Sequence, residues 1–503
     1  MKLKNMLFLT GMLLPVSSVF AQYAEDALRF SQTEQGATSR FRALGNAQTA
    51  LGGDISSIAS NPAGLGLFTR SELSFTPEFK NSSANANFLG SSSTGEKDKI
   101  GVNQLGIIIH KPSTRYNNQD TKKGLLSFNY GISYNKTNNF NATIDYTGNN
   151  NVSSFADYLS DGANFYLGNG DPGSNNSALP DGSLEQMAYN NYLIEYNAGG
   201  YFPTTAVNPG SNTQRNVTYH TGSQSEVNFG AAANISNQVY IGASIALASI
   251  NYSVDREFTE TGNTRTYPGQ PVNFVNAGYD LSFRSLQETR GSGVNLKLGL
   301  LYRALPSLRF GLSFISPTWY ALSDDYSEEL ETRYTPADGS FLAPYTNDEQ
   351  DYPNDYSLTT PYRVNGGLAF IVSNFGLITG DVEYVDYSSI RFDSQDNFTD
   401  NDMKRNIRNT YQSAINYRVG AEAKVHPQVQ LRAGYNIQGN PYKNSEYTAN
   451  TFSTGFGYRV NNLSFDLTYT TLTRSYSPRP YVISEDYPDF DATGSAPVAD
   501  IKN

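Results

Sequence analysis

Along much of the chain, apolar residues occupy every second position, with polar residues between them. In 307–316 the apolar set is Leu308, Phe310, Leu312 and Phe314. In 428–437 it is Val429, Leu431, Ala433 and Tyr435, with Arg432 and Asn436 on the other parity. In 462–471 it is Leu463, Phe465, Leu467 and Tyr469, with Asp466 and Thr468 opposite. Successive side chains of a strand point to opposite faces, so each stretch predicts a strand with one greasy and one wet face. The pattern predicts thirteen strands near 72–80, 102–111, 124–136, 225–235, 238–254, 286–303, 307–316, 361–373, 375–392, 412–425, 428–438, 451–460 and 462–474. A water-soluble sandwich would alternate in the same way, so periodicity alone does not identify the solvent on the apolar face.

Connection lengths are more informative. Tight turns follow most even-numbered strands: Ser236-Asn237, Ala304-Leu305-Pro306, Ser373-Asn374, His426-Pro427 and Asn461. Long connections follow the odd-numbered ones: 81–101, 137–224, 255–285, 317–360, 393–411 and 439–450. One longer connection, 112–123, falls on the short side. Short turns at one end and long loops at the other characterise outer-membrane barrels, which in bacterial single-chain form have an even number of strands. The expected fold is therefore all-β: a transmembrane antiparallel barrel of about fourteen strands. A last strand of roughly ten residues or more is expected to be missing from this sequence, leaving 475–503 as an external tail. A rival count takes 278–286 as an extra strand and spoils the alternation of loops.

The first 21 residues read as a signal peptide: Lys2 and Lys4, an apolar core from 6 to 16, and Val19-Phe20-Ala21 before Gln22. No later run reaches the roughly 18–20 apolar residues of a spanning helix. Mean hydropathy is negative, as it is in membrane barrels, where only alternate residues meet lipid. The 36 Tyr, 28 Phe and 43 Gly suit strands with aromatic girdles. Removing the signal takes two lysines and moves the formal charge from −11 to −13, a balance that argues against nucleic acid. Cysteine is absent, which excludes disulfides, thiolate metal sites and thiol nucleophiles. His110, His220 and His426 share no metal-ligand spacing, and the acidic run 393–402 lacks the glycine and terminal Glu of a calcium loop. No metal, cofactor or enzymatic activity is expected.

Residues 22–71 lack β alternation. Segments 24–30 and 40–51 could form short helices, with Gly52-Gly53 ending the second. Asp54 is a candidate N-cap for a turn running to Ala59, and Pro62 bars Asn61 from helical geometry. The run Arg40-Phe41-Arg42-Ala43-Leu44-Gly45-Asn46-Ala47 and the turn Asn61-Pro62-Ala63-Gly64 stand between a secretion signal and the first strand. In that position they resemble the N-terminal hatch of the FadL family, outer-membrane channels for long-chain fatty acids and other hydrophobic compounds. The resemblance is tightest over 36–65 and covers nearly the whole chain in architecture. It implies a helical hatch over 22–71 inside a barrel over 72–503, with Asn61, Pro62, Ala63 and Gly64 in gating. It further implies lateral release through a kinked third strand, for which Gly131 is the candidate here. This chain ends at Asp500-Ile501-Lys502-Asn503 rather than on the family's aromatic residue.

The loop 137–224 is longer than barrel closure needs, and so is 317–360. Within the first, 153–167 and 183–196 look ordered, the second opening on a capping-box pattern from Ser183 to Gln186. Leu184, Met187, Leu193 and Tyr196 fall at helical spacing and, through the resemblance, are candidates for capturing ligand; a lid packed on the rim is the alternative. Alternation sends Asp381, Glu383, Arg418, Glu422, Lys424, Arg432 and Asp466 into the lumen. There, opposite charges can pair across strands, or Arg418 or Arg432 can receive a ligand carboxylate. The expected function is passive uptake of hydrophobic small molecules across the outer membrane of a Gram-negative cell by a monomer surrounded by lipid. The alternatives are a polar-solute porin and a surface binding or adhesion barrel.

Overall fold

A computed structural model of the protein describes residues 17–34, 36–113, 123–168, 179–197, 200–206, 212–265, 277–339, 342–347, 349–372, 375–394, 397–443, 447–476, 480, 481, 483 and 498–502. Most of the expected signal segment lies outside these residues.

Two helices, α1 (Ser17–Ser31) and α2 (Ser39–Ala43), and two 3-10 turns (Ile55–Ala59 and Pro62–Leu67) precede the wall. The wall begins with β1 (Glu72–Phe88), β2 (Ser91–Pro112), β3 (Leu125–Asn139) and β4 (Ala142–Asn150). An excursion then carries α3 (Phe155–Gly168), α4 (Leu184–Asn190), β5 (Ile194–Asn197), β6 (Gly200–Pro203) and β7 (Thr205–Ala206). Next come β8 (Asn212–Ile235), β9 (Val239–Thr264), β10 (Ala277–Leu305), β11 (Leu308–Ile315), β12 (Trp319–Thr335), β13 (Tyr345–Thr346), β14 (Gln350–Thr359), β15 (Arg363–Val372), β16 (Gly376–Asp386) and β17 (Arg391–Asp393). The chain continues through α5 (Asn397–Thr410), β18 (Ser413–His426), β19 (Val429–Gln438), β20 (Thr448–Val460), β21 (Leu463–Tyr476) and β22 (Ala499–Lys502).

Antiparallel pairing runs β1-β2-β3-β8-β9-β10-β11-β15-β16-β18-β19-β20-β21-β22 and returns to β1, a closed ring of fourteen. The fourteenth place is taken by the four residues of β22, in a segment the sequence reads as an external tail. It bridges Asn85–Phe88 of β1 to Ser475 and Tyr476 of β21. Below it, the facing edges of β1 and β21 carry no ladder partner among the described residues.

The greasy face points outward throughout. Phe310, Leu312 and Phe314 on β11 are exposed, as are Leu431 and Tyr435 on β19 and Leu463, Phe465, Leu467 and Tyr469 on β21. On β10 this belt includes Leu296, Leu298, Leu300 and Tyr302, and above it the outward residues become Arg290, Glu288 and Arg284. Arg284 pairs with Asp255 of β9 at 2.9 Å. A span takes roughly ten residues, whereas β8, β9 and β10 have 24, 26 and 29. The excess forms a crown beyond the membrane, with Trp319 exposed at its base. The expected long loops 81–101, 255–285 and 317–360 are therefore mostly strand: β1 and β2 meet at Leu89-Gly90, and 278–286 is simply part of β10. Outside lipid both faces of a strand can be polar, so the ladder continues after the apolar alternation stops.

The interior holds two main apolar clusters. One packs α1 (Ala24, Ala27, Leu28, Phe30) and α5 (Met403, Ile407) against Phe140, Tyr252, Tyr320, Tyr356 and Leu358 of the wall. The other joins α3 and α4 to Phe258, Tyr279, Leu281, Leu330 and Tyr334 and forms the inside of the crown.

Candidate functional site

The segment between α1 and β1 folds through side-chain caps, of which Asp54 is the expected one. Thr38 caps α2, and Gly45 (φ 64°) with Asn46 (φ 62°) ends it earlier than the expected 40–51. Asp54 caps the turn to Ala59, accepting the Ser56 N–H at 2.9 Å and the Thr38 hydroxyl at 2.7 Å. Asn61 caps the next turn, accepting the Ala63 N–H at 3.2 Å. Its Nδ2 donates to the Thr49 carbonyl at 2.6 Å and to the Leu300 carbonyl of β10 at 3.3 Å. Asn61-Pro62-Ala63-Gly64 thus ties the segment both to itself and to the wall. All four residues are buried.

The wall receives this segment on a ring of inward glycines. A Cβ at Gly434 of β19 would lie 2.0 Å from the Gly45 nitrogen, and one at Gly420 of β18 would lie 2.4 Å from the Leu44 oxygen. At Gly311 of β11 it would meet the Thr49 oxygen at 2.1 Å, at Gly299 of β10 Asn61 Oδ1 at 2.0 Å, and at Gly242 of β9 Pro62 at 2.4 Å. Backbone lies against backbone on five strands, an approach only glycine allows. β16 contributes Asp381 instead: its Oδ2 accepts the N–H groups of Gln48 and Thr49 at 2.7 and 2.8 Å and the Thr49 hydroxyl at 2.8 Å. A sequence with 43 glycines conceals this ring, because strand register decides which of them face inward at one level.

The wall splits next to this plug. The β2–β3 ladder stops at Gln104↔Asn135, although β2 continues to Ser91. β3 shifts register between Lys136 and Asn138, breaks at Phe140 and Asn141, and resumes as β4. β4 stays paired with β8 from Ala142 to Asn150 but parts from β2, and it packs Ile144 and Tyr146 on the β1–β2 hairpin, against Ala84, Ala86 and Phe88. Local bonds replace the ladder at the break: Asn138 Oδ1 accepts the Asn139 N–H at 2.9 Å, and Asn139 Oδ1 accepts the Asn141 N–H at 3.2 Å. The N-terminal segment fills the split, the Gly36, Ala37 and Gln32 carbonyls accepting from Asn135 (2.8 Å), Asn103 (2.5 Å) and Asn138 (3.1 Å). Gly131, the expected kink, is paired on both sides, with Ile108 and Gly230. The break lies further along the strand, where the short asparagine side chains capture the backbone.

The two lumen arginines are paired with the wall. Arg418 donates to Glu383 at 2.9 Å and to Asn365 at 3.4 Å. Arg432 donates to Glu422 at 2.7 Å and to Asp466 at 2.5 Å, and Arg40 of α2 reaches Glu422 at 3.3 Å. Both guanidinium forks are occupied by carboxylates of the wall, which favours pairing over ligand contact. Lys424 lies exposed at the end of β18. In the crown, Ser183 caps α4 by accepting the Gln186 N–H at 3.1 Å, while the Gln186 side chain accepts from Gly182 rather than closing the box on Ser183. Leu184, Met187 and Leu193 are buried in the crown's core, and of the four capture candidates Tyr196 alone is exposed. Their spacing marks the face that packs onto the strands, not a groove open to ligand.

Sequence reading missed two features. α5 occupies what reads as a solvated loop, although Met403, Ile407 and Tyr411 at four-residue intervals carry the signal. Glu260, fully buried, accepts from the Ser154 and Tyr279 hydroxyls, both at 2.6 Å, and from the Phe155 N–H at 3.0 Å, fastening the start of α3 to β9. Burial pushes its carboxyl above the usual range against these bonds. Among the described residues no cluster of His, Asp and Glu could hold a metal.

The sequence model of the outer membrane protein transport protein family (OMPP1/FadL/TodX) matches residues 185–495. No curated protein matches the chain. Among solved structures, the toluene transporter TodX of Pseudomonas putida is 12% identical, with 94% of this chain and 97% of that one covered, at a TM-score of 0.46. A FadL homologue of Pseudomonas aeruginosa is 10% identical, with coverage of 93% and 96%, at a TM-score of 0.51. At such identities the likeness extends to the fold alone.

Proposed function

Since the chain belongs to the OMPP1/FadL/TodX family of outer-membrane transport proteins, we propose that it takes up hydrophobic small molecules passively, long-chain fatty acids being the first candidates. The N-terminal segment is the gate, and the ligand leaves sideways through the split between β2 and β3. The observation that carries this reading is the coincidence of plug and split. The bore is closed by a segment fitted to the wall backbone on five strands, and the same segment runs into the β2–β3 ladder where it parts. A straight aqueous route would have to dismantle these contacts, whereas a lateral route needs Gln32, Gly36 and Ala37 to withdraw from Asn138, Asn135 and Asn103.

An apolar solute gains about 0.8 kcal/mol per CH₂ on leaving water, so release into lipid is downhill and needs no energy coupling. The crown, whose interior joins α3 and α4 to the long strands, holds the outer entrance. The test measures two quantities on one preparation. Cells carrying the protein should accumulate a labelled long-chain fatty acid faster than cells without it, while the purified barrel should stay nearly silent to ions in a planar bilayer. Steady ion conductance without fatty-acid uptake would point to a polar-solute pore and refute the proposal.

A further inference from the structure

Three side chains from separate parts of the molecule meet inside the wall at the level of the split. Glu78 of β1 faces the lumen and is largely buried. One of its oxygens, Oε1, accepts from Arg42 at the base of α2, and the other, Oε2, accepts from Lys136 of β3 at 3.1 Å. β2 lies between β1 and β3 in the ring, so Lys136 must cross its inner face to reach Glu78. Gly101 makes the crossing possible: a Cβ there would lie 2.8 Å from the Lys136 ammonium. Lys136 is also the residue at which β3 shifts register toward its break, and its backbone oxygen lies where a Cβ on Gly36 would fall, at 2.2 Å. One carboxylate therefore holds a cation of the plug and a cation of the strand that parts from its neighbour.

We infer that Glu78 is the positioning residue that couples the plug to the split, so that neither opens alone. The inference rests on the gating role proposed for the plug and names the residues that transmit it. The arrangement is asymmetric. While Arg42 stays, Glu78 holds Lys136 and the break in β3 stays pinned to β1. When α2 withdraws, Glu78 loses one of two partners and the plug's contact with β3 loosens. Without the carboxylate, Arg42 and Lys136 face each other as like charges in a partly buried place, which drives α2 and β3 apart.

The chain has no cysteine, so a single Ala37→Cys reports on the split; Ala37 is fully buried and its carbonyl accepts from Asn103. Labelling of the purified, folded barrel by a small methanethiosulfonate reagent should be slow. Glu78→Gln in that background is expected to speed it at least ten-fold, and Arg42→Met and Lys136→Met each to speed it less. Adding Arg42→Met or Lys136→Met to Glu78→Gln should speed labelling no further, because both cations act through one carboxylate. Gly101→Val, which blocks the ammonium's path without touching a charge, should reproduce the effect of Lys136→Met. Unchanged labelling in Glu78→Gln, or effects of the two cation variants that multiply independently, would overturn the coupling. If Glu78→Gln does not assemble, the Gly101→Val and Lys136→Met comparison decides the question in the same way. Since no ligand enters the assay, its failure is separable from a failure of the transport reading, which fatty-acid uptake by the unmodified protein tests.

Discussion

Gly434→Ala is the sharpest perturbation of the plug. The new Cβ would fall 2.0 Å from the Gly45 nitrogen and 2.2 Å from the Leu44 carbonyl carbon, where ordinary contact begins at 3.4 Å. The opposing atoms are backbone, so no rotamer relieves the clash, and the plug must retreat by about 1.4 Å to regain contact distance. Leu44 is fully buried and its oxygen also rests on Gly420, so the displacement spreads to β18. Overpacking of this kind costs about 1–3 kcal/mol, which raises the population of an unseated plug about 5–150-fold. Single-channel recording should show brief conducting events in Gly434→Ala that are rare in the unmodified protein. The barrel itself should keep its heat-modifiable migration on gels. Gly366→Ala is the matched control, since a Cβ there meets nothing within 4 Å. If Gly434→Ala is as silent as Gly366→Ala, the plug is not seated as described.

The crown yields a pH dependence. Burial raises the Glu328 carboxyl from 4.5 to about 7, against the hydrogen bond donated by the Tyr326 hydroxyl at 2.6 Å and with help from the Glu185 charge. Because the folded value lies above the unfolded one, the folded state holds the proton more tightly, so this contribution is full below pH 4.5 and fades as pH rises through about 7. Proteolytic clipping of the crown should therefore become faster between those values, and Glu328→Gln should flatten the curve. Leu193→Ala, in the crown's core, should loosen α4 by about 2–5 kcal/mol in hydrogen exchange, whereas Tyr196→Ala should leave it unchanged; equal effects would show the packing to be misassigned. Arg432→Ala leaves Glu422 with Arg40 alone and Asp466 without its arginine, and should cost about 1–3 kcal/mol of barrel stability in urea, with fatty-acid binding retained. Loss of binding without loss of stability would return Arg432 to the ligand.

The barrel was legible because lipid imposes a strict alternation on the outward face, as in Leu463, Phe465, Leu467 and Tyr469. Caps were legible because they are local: Asp54 and Ser183 act over two or three residues, so their partners are adjacent in sequence. What escaped depends on distance along the chain. The crown strands turn their polar face outward, and where alternation persists, as in Tyr279, Leu281 and Phe283, the apolar face is the inner one, so the membrane pattern stops. The glycine seats at 299, 311 and 434 differ from the other glycines only in what lies opposite them. The break in β3 arises at Asn138, Asn139 and Asn141 rather than at Gly131, because side-chain competition for backbone bonds outweighs glycine's freedom there.

The most direct test fastens the proposed gate. Ser39 of the plug and Thr468 of β21 touch, the Thr468 hydroxyl donating to the Ser39 carbonyl at 2.6 Å. A cysteine at each position, in a protein that otherwise has none, lets a short cleavable cross-linker join plug to wall in living cells. Uptake of a labelled fatty acid should stop on cross-linking and return when the linker is cut. Uptake that continues at its original rate with the plug fastened would mean that the solute travels by another road.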